Sequence, residues 1–260
     1  MMKKILIAFI VLASSSLFIS CDKPENQTSD NYLDEVINRA GRVIRDKKIT
    51  STSLGKDMSY NVILPPGYSE KKEFPFFYLL HGAGDNHNAW LDKGNAEAIL
   101  KGYLKDGGKP MIVVVPDEAT NFWIKEYDDF FHGELIPAVE KEYHGNGKRA
   151  VAGNSMGGFC TLFNAFSHPK EFSCAYSMSA VNMLFESTIK AQPDHAIFPS
   201  LIIDCGKSDG ICPPSQVEEF TGMLDREGVK YELISRDGSH DWTFWKEALA
   251  TAFDRAGKSF

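Results

Sequence analysis

The sequence predicts an α/β fold in which one mostly parallel sheet is covered by helices on both faces. Three observations point there. Short, continuously apolar runs recur along the chain, segments of helical periodicity lie between them, and no composition break or internal repeat divides the 260 residues. Tyr32 to Ala40 suits a short helix, and Arg42 to Leu64, rich in Val, Ile, Thr, Ser and Tyr with partial alternation, suits two antiparallel strands. Pro65-Pro66-Gly67 stops that hairpin. Phe74 to Leu80 (FPFFYLL) is the kind of run shown by a strand buried on both faces, and His81-Gly82-Ala83-Gly84 ends it. Met111 to Val115, closed by Pro116, repeats the pattern, as do Ala150 to Ala152 and Leu201 to Ile203. Between them Phe131, Leu135 and Val139, with Ile136 and Tyr143, mark one helix, and Val217, Phe220 and Leu224 mark another. Tyr231 to Ile234 reads as a further strand.

The composition is that of a globular protein, 43% hydrophobic and 24% charged, and a chain of this length buries a full core without disulfide staples. A net charge of -7 leaves no basic stripe to neutralise phosphates, so nucleic acid is not an expected partner. The amino terminus differs from the rest. Lys3 and Lys4 precede an apolar run, Ile5 to Ile19, too short to span a bilayer comfortably, and Ser20-Cys21 follows. Residues 1-20 therefore read as a signal peptide. Leu17 to Cys21 resembles the bacterial lipoprotein box, with Phe18 where Leu is usual, which implies export, a lipid on Cys21 and membrane attachment through it. Residues 21-31 carry almost no apolar side chain and read as a polar tether, leaving 32-260 as a single domain. Cys160, Cys174, Cys205 and Cys212 then face an oxidising compartment, where three full pairings exist and none is selected, although Cys205 and Cys212 are close enough in sequence to close a short loop.

Gly153-Asn154-Ser155-Met156-Gly157 matches G-x-S-x-G, the turn that lifts a serine above the carboxyl edge of a sheet. The three fixed letters alone arise by chance in roughly one chain in seven of this composition, so context decides. Gly206-Lys207-Ser208-Asp209-Gly210 matches too, but runs into Cys212-Pro213-Pro214, whereas Ser155 leads into an apolar helical stretch ending at Pro169. A helix behind the serine supplies oriented backbone N-H groups to a developing oxyanion. Ser155 is therefore the candidate nucleophile. A serine hydroxyl needs a base, and on this kind of sheet the chain order is serine, acid, histidine. Of the histidines after Ser155, His168 abuts Pro169 at a helix end, His195 sits in a loop, and His240 lies in a turn after a strand, so His240 is the candidate base. Asp204 and Asp209 compete as the acid. Asp209 is favoured because it follows the carboxyl end of its strand, where catalytic groups gather. The backbone N-H groups of Ala83 and Met156 are the expected oxyanion donors.

Several blocks together resemble the esterase D-like group of α/β-hydrolases, which includes feruloyl and acetylxylan esterases, S-formylglutathione hydrolases, siderophore esterases and mycolyltransferases. They are Leu64-Pro65-Pro66-Gly67-Tyr68, Tyr78 to Gly82, Ala152 to Gly158, Cys205-Gly206 with Asp209, and Ser239-His240-Asp241-Trp242 with Trp245, spanning about residues 43-250. The resemblance implies the α/β-hydrolase fold and assigns nucleophile, acid and base to Ser155, Asp209 and His240. The stretch from His81 through Trp90 and Gly94 is most similar to bacterial feruloyl and xylan-decorating esterases, and the Ser-Gly-Leu-Thr-Cys signature of S-formylglutathione hydrolases is absent. The implied function is a serine carboxylic ester hydrolase removing feruloyl or acetyl groups from plant polysaccharide or its oligosaccharides. A siderophore or other small-ester esterase, and a non-catalytic carbohydrate-binding lipoprotein, remain the alternatives. Trp123 and Trp242 are candidate substrate contacts. No cofactor is expected, and no metal: the spacing of His81, Asp85 and His87 lacks the context of known ligand sets.

Overall fold

The computed structural model describes residues 41–117, 125–181, 183–192 and 194–260. The signal segment, the tether, the expected helix at 32–40, Cys21 and Trp123 lie outside the described residues. Among the described residues, eight strands form one sheet in the order β1-β2-β4-β3-β5-β6-β7-β8. The expected hairpin is β1 (Arg42–Ser51) and β2 (Lys56–Leu64), paired antiparallel and added antiparallel to the edge of β4 (Ile112–Pro116). From β4 onward every pairing is parallel, through β3 (Phe74–Leu80), β5 (Gly145–Asn154), β6 (Cys174–Met178), β7 (Ser200–Gly206) and β8 (Glu232–Arg236). The chain goes from β3 outward to β4 and then back across β3 to β5. That reversal opens a crevice above the carboxyl ends of β3 and β5, where ligands collect on such sheets.

The run Phe74 to Leu80 is buried at every position, because successive side chains enter opposite cores. Phe76, Tyr78 and Leu80 face α3 (Lys125–Phe130), a π-helical turn (Phe131–Leu135), α4 (Ile136–Glu142), α5 (Met156–Ser167) and α7 (Pro214–Glu227). Phe77 and Leu79 face α1 (Ala89–Asp92), α2 (Ala96–Lys105) and α8 (Trp242–Ser259). The short α6 (Glu186–Lys190) lies beyond β6. The i+4 recurrence of Phe131, Leu135 and Val139 marks a helix, as expected, but its first turn is wider than an α-helical one. The strand Cys174–Met178, which the apolar runs did not announce, fills the place between β5 and β7. Cys205 and Cys212 do approach each other, with sulfurs 3.5 Å apart, both buried as thiols; Cys160 and Cys174 are buried and in no disulfide.

Phe77 and Phe253 are fully buried with ring centroids 4.9 Å apart, tying the centre of the sheet to α8. Phe77→Ala is expected to cost about 3–5 kcal/mol, because it removes a fully buried ring and leaves a cavity in its place. Urea unfolding of the variant beside the parent checks this.

Candidate active site

Ser155 sits between the end of β5 and the start of α5 with φ 52° and ψ -118°, a conformation that costs a non-glycine residue about 1–3 kcal/mol. Its neighbours explain how the turn closes. A Cβ on Gly153 would stand 2.5 Å from the Gly157 carbonyl, and one on Gly157 would stand 2.4 Å from the Leu80 carbonyl oxygen. Only glycine lets α5 start this close to both strands. The turn is fastened by Ser155 N-H donating to Met178 O at 2.9 Å and by Phe159 N-H donating to Ser155 O at 2.9 Å.

The loop after β8 brings His240 to this serine, with Ser155 Oγ 2.9 Å from His240 Nε2. On the other side of the ring, Nδ1 lies 2.9 Å and 3.1 Å from the two carboxylate oxygens of Asp209. The carboxylate only accepts, so Nδ1 carries the proton and Nε2 is left to accept from the serine hydroxyl. Asp209 is 2% exposed, and the N-H groups of Ile211 and Cys212 donate to its Oδ1 at 2.9 and 2.8 Å. Burial pushes the Asp209 carboxyl up, but the Cys212 N-H, the His240 ring and the Ile211 N-H together outweigh it and hold the pKa below the ordinary value. The acid therefore stays ionised while buried. Asp204, the competing aspartate, is fully buried in another role, paired with Arg236 and accepting from the Tyr176 hydroxyl. The second G-x-S-x-G match is the loop that presents Asp209, with Ser208 N-H bound to Gly238 O at 2.9 Å.

These elements assemble the nucleophile, the base and the acid order of an acyl-transfer site on an α/β-hydrolase sheet. The family described as Putative esterase matches residues 51–256. The chain belongs to that family. It is 29% identical over 218 residues to an endo-1,4-beta-xylanase/feruloyl esterase of Xylanibacter ruminicola, a match covering 76% of this chain and 29% of the relative. An acetyl esterase of Caldicellulosiruptor saccharolyticus is 22% identical over 80% of this chain and 96% of its own. Among solved structures, a ferulic acid esterase superposes with a TM-score of 0.78 at 25% identity, covering 85% of this chain and 99% of that one. An S-formylglutathione hydrolase of Staphylococcus aureus gives 0.68 at 20% identity, covering 83% and 99%, and shares the fold. The chain spans less than a third of the xylanase/feruloyl esterase it matches.

In this member of the Putative esterase family, Ala83, Ser155 and Met156 line one cavity of about 660 Å³. Met156 is the first residue of α5, so its N-H has no acceptor within the helix and faces the space beside Ser155. The sequence reading did not find the rest of the lining. Phe159 and Phe163 project from one face of α5, Val181, Leu184 and Phe185 come from the segment after β6, and Ile211 from the acid loop. The signal available was the i+4 spacing of Phe159 and Phe163 behind the nucleophile. Trp242 is not among the residues that line this cavity. Its ring packs edge-on against Trp90 at 5.0 Å and Trp245 at 5.2 Å, and Trp245 packs edge-on against His240 at 5.1 Å. Trp245 is held in turn by its Nε1-H donating to Ser179 Oγ at 3.1 Å. The tryptophans thus wedge the base from behind.

The residues His81, Asp85 and His87 do not converge on one point either. Asp85 pairs with Lys93, and His87 bridges Asp46 at 2.8 Å and Asp117 at 3.1 Å. His81 Nε2 lies 3.5 Å from the same Asp117. Burial pushes the Asp117 carboxyl up, but His81 and His87 outweigh it and hold it well below the usual range. This ionic layer underlies the 81–84 loop that carries Ala83.

Two outcomes are expected. Ser155→Ala and Asp209→Asn each lower kcat/KM on a reactive aryl ester by about 10³-fold or more while leaving the thermal unfolding midpoint near that of the parent. Stopped-time ester hydrolysis with a matched melting curve measures both. The second outcome concerns pH. The Asp117 hydrogen bond raises His87 above its ordinary value, burial opposes it, and Asp46 adds to the rise. A pKa raised by folding stabilises fully below the unfolded value, near 6.5, and the contribution is lost as pH climbs through the folded one. The gap in melting temperature between parent and His87→Gln is therefore wider at about pH 5.5 than at about pH 8.5. An equal gap at both would remove this account of His87.

Proposed function

We propose that this chain is a serine carboxylic ester hydrolase acting through an acyl-enzyme, and that its substrates carry a bulky apolar acyl group such as feruloyl on plant polysaccharide or its oligosaccharides. The observation that carries the reading is Ser155 Oγ at 2.9 Å from His240 Nε2 at the floor of an apolar cavity of about 660 Å³. In this reading Ser155 Oγ attacks the ester carbonyl as His240 Nε2 takes its proton. Asp209 holds the ring in the required tautomer and stabilises the imidazolium. The N-H groups of Ala83 and Met156 receive the charge that develops on the carbonyl oxygen. His240 then returns the proton to the leaving alcohol, and water, activated by the same ring, releases the acid.

The cavity supports the acyl class. Its size lies within the range of small-molecule sites, far more than an acetyl group fills. Phe159, Phe163, Val181 and Phe185 offer faces to an aromatic ring, and none of the described lining residues is charged. The Xylanibacter ruminicola and ferulic acid esterase matches are named for the same chemistry. Export with a lipid on Cys21 belongs to the same proposal, supported by the residues from Lys3 to Cys21. Cys21→Ser is expected to abolish incorporation of a labelled fatty acid, and retained label would remove the anchor from the reading.

The deciding comparison keeps the leaving group constant. Ethyl ferulate is expected to exceed ethyl acetate in kcat/KM by at least about 10-fold, Phe163→Ala narrows that ratio, and Ser155→Ala abolishes turnover of both. A preference for acetate overturns the acyl assignment while keeping the mechanism. Equal rates with Ser155 present and absent overturn the esterase itself.

A further inference from the structure

We infer that Asp128, His132 and His168, joined by Asn164, form a binding site for a divalent transition-metal ion, with zinc as the fitting class. None of the four lines the cavity that holds Ser155, and the inference stands apart from the esterase reading. Asp128 lies on α3, His132 on the π-helical turn that follows it, Asn164 on the last turn of α5, and His168 just past that helix. One ligand atom from each of Asp128, His132 and His168 falls within 4.8 Å of the others. Asp128 Oδ1 is 2.9 Å from His168 Nε2 and 3.5 Å from His132 Nε2, and Asn164 Oδ1 is 2.9 Å from His132 Nε2. The Asn164 amide is oriented, because its Nδ2 donates to Cys160 O at 2.7 Å and leaves Oδ1 turned toward the histidine.

The two imidazoles carry the argument furthest. Their rings stack with centroids 3.8 Å apart and planes 25° from parallel. Both Nε2 atoms turn toward Asp128, while Glu171 meets the Nδ1 atoms, at 2.9 Å for His132 and 3.7 Å for His168. Two protonated rings in that arrangement repel each other. An ion taking the place of the Nε2 protons would meet both imidazole nitrogens, the Asp128 carboxylate and the Asn164 amide oxygen, with the Nδ1 sides turned to Glu171. A carboxylate behind the histidine is the usual outer partner of a metal-bound imidazole. Glu171 has its own cation nearby, Arg149 at 3.6 Å, whereas Asp128 Oδ1 stands between the two Nε2 atoms, 2.9 Å from His168 and 3.5 Å from His132, where an ion would sit. The Asp-x-x-x-His spacing puts both ligands on one helix face, and the wider π turn re-aims the second of them, as such turns do at functional positions. Two imidazole nitrogens with one carboxylate and one amide oxygen suit zinc, cobalt or nickel, and supply too few oxygens for calcium. Bound there, the ion would clip the helix of residues 125–142 to the far end of the helix that starts behind Ser155. His168 caps the end of α5, as the sequence implies, and its side chain also joins this cluster.

The test uses the purified full chain, stripped with a chelator and dialysed against zinc. The expected result is one zinc ion per chain by elemental analysis and a melting temperature raised by roughly 5–10 °C when zinc is about 100-fold above its dissociation constant. The paired substitutions His132→Gln and His168→Gln are expected to lose both the zinc and the shift while keeping ester turnover. Cobalt added to the unaltered chain is expected to give the visible absorption of a low-coordinate nitrogen and oxygen site, which makes the test independent of how the variants fold. Absence of that absorption, or zinc retained at the parent level by a folded double variant, overturns the site.

Discussion

The site depends on how closely α5 approaches β3 and β5. The helix begins so near the strands that the carbonyls of Leu80 and Gly157 occupy the space where side chains on Gly157 and Gly153 would be. That proximity forces Ser155 into a positive φ, and the sheet and helix on either side hold it there. A serine in an ordinary helix would direct its hydroxyl along the helix surface and bond back to its own turn. Here the strained turn aims Oγ at His240 and leaves the first N-H groups of α5 facing the same space. Nucleophile placement and oxyanion polarity therefore follow from one packing constraint.

The second requirement is a buried charge that stays charged. Asp209 achieves this with its own loop, since the N-H groups two and three residues further on fold back to its Oδ1. Asp204, five residues earlier in the chain, is partnered differently, by Arg236 and the Tyr176 hydroxyl. Both aspartates are enclosed, but only the loop-borne one leaves an oxygen for an imidazole. A strand-borne carboxylate spends its acceptors on cross-strand partners. The behaviour of the neighbouring histidine follows from this: between a satisfied carboxylate and the edge of Trp245, the His240 ring has one tautomer and one orientation.

Much of this was legible in the sequence, for identifiable reasons. Strands β3, β4 and β7 are buried on both faces and write themselves as unbroken apolar runs. Strand β6 (Cys174–Met178) is equally buried but short and built partly of Cys and Ser, so hydropathy does not mark it. Its Ser177 is satisfied by the Gly158 and Ala180 carbonyls, a partnership that exists only once α5 has packed. Ser155, Asp209 and His240 were readable because steric need and chain order restrict them to few positions. The aromatic residues were not, because a tryptophan at a site mouth and one behind a catalytic ring have the same local sequence. Trp245 belongs to the second group and Phe159 and Phe163 to the first, a sorting made by the direction in which each helix faces the sheet. The cluster around His132 and His168 was hidden for a related reason: its members come from two helices, and only the π turn and the packing of α5 bring them together.

The division between rigid and variable parts explains how one sheet serves many esters. Ser155 and His240 are 85 residues apart in the chain, and parallel strands deliver both to the same edge. The chemistry is thus fixed by strand order and by the close approach of α5. The acyl cavity is not. Val181, Leu184 and Phe185 belong to the connection after β6, and Ile211 to the one after β7, with Leu184 and Ile211 73% and 68% exposed at its rim. Exposed apolar side chains around a site mouth cost little when empty and gain area when a hydrophobic group covers them. Exchanging those residues changes which acyl group fits without disturbing the glycine contacts that aim the serine. In the proposed reading, acyl preference is set by the loops after β6 and β7 together with Phe159 and Phe163 of α5, and the reaction by the sheet.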